Sequence, residues 1–143
     1  MNSKPPEPQT LLSLDVGQKR IGVAKGNSFT RLASPLTTIE NNQNTPQTLV
    51  QLIGEHNAAA LVIGLPKGLK GQETPQTSFT RQFIKLLKQH VHIPIFTQDE
   101  TLSSVRAEKE LRERKIGYNK ESVDALAATY ILEDFLREHF QEV

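Results

Sequence analysis

Residues 58–66 read AAALVIGLP, a stretch with no charged or polar side chain. A strand with one wet face alternates apolar and polar residues, because successive side chains point to opposite faces. A run this short and continuous is instead expected of a strand covered on both faces, as in parallel sheets. Parallel neighbours cannot be joined by a tight turn, so crossover connections, usually helical, are required on either side. This segment points to the α/β class.

The flanking sequence is consistent with that requirement. Residues 11–15 and 20–26 are rich in Leu, Ile and Val and are separated by the turn VGQK, which predicts an antiparallel hairpin. Residues 31–39, RLASPLTTI, read as a third strand whose Pro35 belongs near an edge or a bulge. Pro46 marks the start of a helix in which Leu49, Leu52 and Ile53 keep helical spacing. From about Gln76 to Gln89, Phe79, Phe83, Leu86 and Leu87 share one helical face. HIPIFTQ is a short central strand ending at Asp99-Glu100, and SSVRAEKELRERK is an amphipathic helix capped by Ser103 or Ser104. The last helix, from about Ser122, carries Val123, Leu126, Ala127, Tyr130, Ile131 and Phe135 as an apolar stripe. The predicted order is β-β-β-α-β-α-β-α-α: an antiparallel meander extended in parallel by helix-linked strands.

A chain of 143 residues is long enough to bury a sizeable core. One domain over 11–143 is expected, preceded by a disordered, proline-rich arm at 1–10. There is no cysteine, which excludes disulfides, cysteine-ligated zinc and thiol catalysis. No stretch is apolar enough for a membrane span and the first residues lack a signal-peptide core, so a cytoplasmic location without a membrane partner is expected. A formal net charge of +1 gives no bulk preference for nucleic acid, although separated patches can hide in such a total. Lys19, Arg20, Lys25, Lys67, Lys70, Arg106 and Lys120 cluster around the motifs described below. They are candidate phosphate contacts, although solvated loops carry such charges too.

Three acidic points end or begin elements. Asp15 closes the first strand, Asp99-Glu100 closes the last, and Asp124 falls in the first turn predicted for the final helix. In an open sheet with parallel strands, sites form outside the carboxyl ends of those strands. Carboxylates converging there repel one another, and a cation relieves the repulsion. An all-oxygen donor set suits Mg²⁺ or Mn²⁺. Two such ions about 3.5–4 Å apart clamp a scissile phosphate, one activating water and the other steadying the leaving oxygen. Each acid also has a plainer use: Asp15 in turn chemistry, Asp124 at a helix dipole, Asp99-Glu100 in a cap.

The stretches LDVGQKRIGVA, LVIGLPKGLKGQETPQ, DETLSSVRAEKEL and SVDALAATYILEDFL together resemble the YqgF/RuvX family over about residues 11–138. Its members are described as Holliday-junction-resolvase-like and as nucleases maturing the 5′ end of pre-16S rRNA. The resemblance implies an RNase H-like fold: a five-stranded mixed sheet with helices on both faces. It also implies a catalytic, metal-binding triad of Asp15, Glu100 and Asp124. Asp99 is the second choice, because strand alternation sends it the other way from Glu100. Gly17 and Gly22 match family glycines that keep the hairpin tight, and Gly64-Leu65-Pro66 and Gly71 match a loop bordering the site. Where the family commonly has arginine after the Asp-Glu pair, this chain has Thr101, and the segment KIGYNKE before Asp124 is less basic than is usual.

The reading these features support is a metal-dependent endonuclease acting on structured RNA such as pre-16S rRNA, with Lys19, Arg20, Lys67, Lys70, Arg106 and Lys120 as nucleic-acid contacts. Branched DNA is the alternative substrate and would call for two active sites, hence a homodimer. Thr101 leaves open a non-catalytic RNA-binding factor in ribosome assembly. D-x-G also opens the site of actin-like kinases, but those need two such domains.

Overall fold

The computed structural model describes residues 8–100, 109 and 120–139. The elements run β1 (Thr10–Val16), β2 (Arg20–Asn27), β3 (Ala33–Glu40), α1 (Thr45–His56), β4 (Ala60–Pro66), α2 (Pro75–Leu87), β5 (Ile95–Glu100) and α3 (Lys120–His139). The apolar run becomes β4, an interior strand that pairs in parallel with β1 on one side and β5 on the other. With the antiparallel β1–β2 and β2–β3 pairs, the sheet has five strands in the order β3-β2-β1-β4-β5. Pro35 lies on the edge strand β3, opposite a register shift between Val23 and Ala24, so both expectations for it hold.

β4 is buried on both faces because helices cover both. Leu12, Leu14, Ile21, Val23, Leu61 and Ile63 pack beneath Leu49 of α1 and Phe83, Ile84 and Leu87 of α2. Leu11, Ala60 and Val62 pack on the opposite face beneath Ile131, Leu132, Phe135 and Leu136 of α3. Each of the larger side chains gains about 1.5–3 kcal/mol from burial. Ser13, the fully buried polar residue of β1, donates its hydroxyl to the Ala128 carbonyl of α3 at 2.6 Å, so α3 satisfies it as well as covering it.

β3 starts at Ala33 rather than at residue 31. Asn27 accepts the amides of Phe29 and Thr30 on its side-chain oxygen, and Arg31 takes a left-handed φ of 59°. Residues 27–32 therefore close a turn before the strand begins. α2 begins at Pro75 behind a reciprocal capping box between Thr74 and Thr77, and the Thr77 hydroxyl also donates to the Pro66 carbonyl. This ties the helix start to the end of β4. The expected helix at 103–115, except for Lys109, which is helical, lies outside the described residues together with Thr101, Arg106 and most of the proline-rich arm. Among the described residues, no helix is long and apolar enough to cross a membrane.

Candidate metal and nucleic-acid site

Register decides which acids share a face. Asp15 pairs with Gly22, and Gly22 with Thr38. Leu14 pairs with Ile63, so Asp15 stands level with Gly64, which pairs with Gln98. Thr38, Gly22, Asp15, Gly64 and Gln98 thus form a row across the whole sheet on the face that α3 covers. Glu100 stands two residues beyond Gln98 and on that same face, with its Oε1 buried. β4 separates β1 from β5 and Glu100 lies two residues further along, so the backbone positions of Asp15 and Glu100 are about 12 Å apart. Asp99 projects from the opposite face, where its charge adds to the effect of Glu73 in holding the α2 guanidinium of Arg81 protonated. Of the acid pair, only Glu100 faces Asp15.

Asp124 reaches this face through Gly22. A Cβ on Gly22 would lie 1.9 Å from the Asp124 carbonyl oxygen, so α3 sits directly on the β2 backbone there. Asp124 is the fifth residue of α3 and not in its first turn, where a helix dipole would act most strongly. It is held instead by Arg20 of β2, whose Nε donates to Asp124 Oδ2 at 2.8 Å. Burial, and then the negative charge of Asp124, pushes the Asp15 carboxyl up to about 6.

The basic residues divide. Lys19 is exposed at the β1–β2 turn, where the Gly17 amide donates to the Arg20 carbonyl at 2.9 Å. Lys67 is drawn in, with its side chain 13% exposed and its Nζ 3.7 Å from Glu73, while its amide donates to the Glu100 carbonyl at 2.9 Å. Lys70 is exposed on the loop between β4 and α2, a loop organised by the left-handed Gly71 and by amide bonds to Gln72. Lys25 projects from the other face of the sheet and meets His56. Arg106 lies outside the described residues, as does the side chain of Lys120.

A family model described as RuvX, Holliday junction resolvase, matches residues 9–138. The chain belongs to the RuvX family. Among curated relatives, the "Putative pre-16S rRNA nuclease" of Roseiflexus sp. (strain RS-1) is 40% identical over 134 residues, covering 91% of this chain and 95% of that protein. The protein of the same name from Legionella pneumophila (strain Lens) is 41% identical over 132 residues, covering 89% and 94%. Among solved structures, Thermus thermophilus RuvC in complex with a Holliday junction superposes with a TM-score of 0.55 at 12% identity, covering 91% of this chain and 94% of that one. The Fowlpox virus resolvase with Holliday junction DNA gives 0.51 at 13%, covering 92% and 99%. At such identities the likeness is one of fold, and the fold is RNase H-like.

The RuvX-family acids offer oxygen donors alone, the chemistry of a hard divalent cation. Asp15 and Asp124 are near enough for one charge to hinder the ionisation of the other, and a cation between them would remove that penalty. Arg20 takes Oδ2 of Asp124, and among the described residues Oδ1 has no partner. Glu100 shares the face but does not close on the pair: among the described residues no three His, Cys, Asp or Glu side chains stand close enough to hold an ion. The donor set therefore fits a hard cation at Asp15 and Asp124, with Glu100 on the same face but apart from the pair.

From the sequence alone Gly22 is a hairpin residue and Arg20 a candidate phosphate contact. In this RuvX-family fold Gly22 is the seat of α3, and Arg20 is the partner of Asp124. A glycine in the middle of the buried strand RIGVA was a readable sign of close backbone approach. Nothing local in the sequence announced the Arg20–Asp124 pair.

Proposed function

We propose that this chain is a divalent-metal-dependent nuclease that hydrolyses phosphodiester bonds, with pre-16S rRNA near its 5′ end as substrate. The observation that carries this reading is the Asp15–Asp124 pair on the α3 face, in which burial and mutual charge hold the Asp15 carboxyl up to about 6. A site that strains to stay ionised without a counter-charge is suited to binding one. Asp15, Asp124 and Glu100 would hold Mg²⁺ or Mn²⁺. Such ions supply a nucleophilic hydroxide and stabilise the leaving oxygen. Above about pH 6 Asp15 is available as an anion, and Arg20 steadies Asp124 through one of its oxygens. The names of the curated relatives support rRNA as the substrate.

Branched DNA is the second reading, favoured by the fold shared with two junction-bound resolvases. Cutting a four-way junction symmetrically needs two sites, and so a dimer of this chain.

The test is a cleavage assay of the purified chain on a pre-16S-like RNA and on a four-way DNA junction, each with Mg²⁺, Mn²⁺ or chelator. RNA cutting that requires the cation and is abolished by Asp15→Asn is expected. Cutting in chelator, or an Asp15→Asn protein as active as wild type, would overturn the metal-ligand role. Junction cutting by a dimer, with the RNA left whole, would favour the second reading.

A further inference from the structure

Beside the acids, between the β1–β2 turn and the loop from β3 to α1, lies an open cleft of about 430 Å³. That is within the range of small-ligand sites, about 300–1,000 Å³. Its lining includes Gln18, Lys19, Arg20, Thr38, Glu40 and Asn42. Its position follows from the register. Thr38 belongs to the row of Asp15 and Gly22, and Glu40 pairs with Arg20, so both point to the face that carries the acids. β3 is two strands from β1, which sets the cleft about 10 Å from Asp15. Arg20 joins the two places, since it lines the cleft and also holds Asp124.

The lining is not that of a bare phosphate site. Arg20 is already paired with Asp124, and the lining carries the carboxylate of Glu40 as well as the ammonium of Lys19. A carboxylate repels a phosphate but accepts a hydrogen bond from a sugar hydroxyl. Glu40 is exposed at the end of an edge strand, and Gln18 and Asn42 add neutral amides. The wall is held in shape by backbone: Asn41 donates its side-chain amide to the Gly17 carbonyl at 2.8 Å and its main-chain amide to the Lys19 carbonyl at 2.9 Å.

We infer that this cleft takes a ribonucleotide next to the scissile phosphate, with Glu40 accepting from its 2′-hydroxyl and Lys19 lying against its phosphate. The 2′-hydroxyl is what lets a protein tell RNA from DNA at a given site. The cleft would therefore supply the RNA preference of the site. This inference rests on the nucleic-acid reading above and adds to it the choice of sugar.

The experiment uses the full chain with Asp15→Asn to prevent cutting, and measures binding of a labelled pre-16S-like RNA hairpin and its DNA counterpart by fluorescence anisotropy. Glu40→Ala should lower the RNA-to-DNA affinity ratio roughly tenfold, the worth of one charge-assisted hydrogen bond. Glu40→Gln, which keeps an acceptor oxygen, should retain much of that ratio. Thr38→Phe, which fills the cleft without changing charge, should also lower it. Equal changes for RNA and DNA in the Glu40 variants would reduce Glu40 to an electrostatic bystander and overturn the inference. So would unchanged affinities in Glu40→Ala and Thr38→Phe. A parent that binds DNA as tightly as RNA overturns the cleft's role while leaving the nuclease reading intact. A parent that binds neither overturns both.

Discussion

Gly22 and Asp124, 102 positions apart in sequence, meet backbone to backbone: a Cβ on the glycine would stand 1.9 Å from the aspartate carbonyl oxygen. Gly22 is also the cross-strand partner of Asp15. One missing side chain therefore lets α3 descend far enough to bring the second acid beside the first. Arg20, two residues before Gly22 on the same strand, completes the arrangement by taking Asp124 Oδ2.

Gly22→Ala should be severely destabilising. The clash is with main-chain atoms of α3, which cannot rotate away, and overpacking of a buried site costs about 1–3 kcal/mol, sometimes more. Gly54→Ala in α1 is the control, because a Cβ there meets nothing within 4 Å and its φ is not left-handed. That change should stabilise by about 0.5–1 kcal/mol through helix propensity. Urea denaturation of the two variants should move in opposite directions.

Asp15→Asn should stabilise the metal-free protein at neutral pH. The folded carboxyl keeps its proton up to about 6 against an ordinary value of 3.8, so ionising it costs native stability. Stability is full below the unfolded value and is lost as pH rises through about 6. The variant, which has no charge to acquire, should match wild type near pH 4 and exceed it by about 2–3 kcal/mol at pH 7. Asp124→Asn should not stabilise, because it strips Arg20 of its partner. Denaturation midpoints followed against pH separate the two acids, and a flat wild-type profile between pH 4 and 7 would contradict the raised value.

Mn²⁺ should raise the melting temperature of the wild-type chain, because a ligand bound to the native state stabilises by mass action. The increase should be larger above pH 6 than well below it, since cation and proton compete for Asp15. It should shrink in Asp15→Asn and in Glu100→Gln. A shift that survives both substitutions would place the ion elsewhere.

Arg20→Gln should cost about 1 kcal/mol of stability, the scale of a partly exposed ion pair. Its more diagnostic effect is on Asp15. With the guanidinium gone, the Asp124 charge is no longer offset, and the Asp15 carboxyl should titrate at higher pH than in wild type. Carboxyl chemical shifts followed by NMR would report this directly. An unchanged Asp15 titration would mean that Arg20 does not moderate the acid pair.

Much of the fold was legible locally. The apolar run at 58–66 became the doubly covered strand β4, and Pro35 fell on an edge strand beside a register shift. Strand alternation separated Asp99 from Glu100, because in any strand successive side chains point to opposite faces. β3 starts later than its local sequence suggests, because Arg31 and Leu32 look like strand residues. What excludes them is Asn27, whose side chain captures two amides further along the turn.

The sequence by itself determined the elements, their apolar faces and the identity of the acids, since these depend on periodicities of a few residues and on chemistry carried by single side chains. Only the tertiary structure decided which groups meet. The order β3-β2-β1-β4-β5 puts one strand between Asp15 and Glu100, and the docking of α3 on Gly22 gives Asp15 a charged neighbour and Asp124 a cationic one. Those relations set the protonation of Asp15, because burial and Coulomb forces act through space between residues that the chain keeps a hundred positions apart.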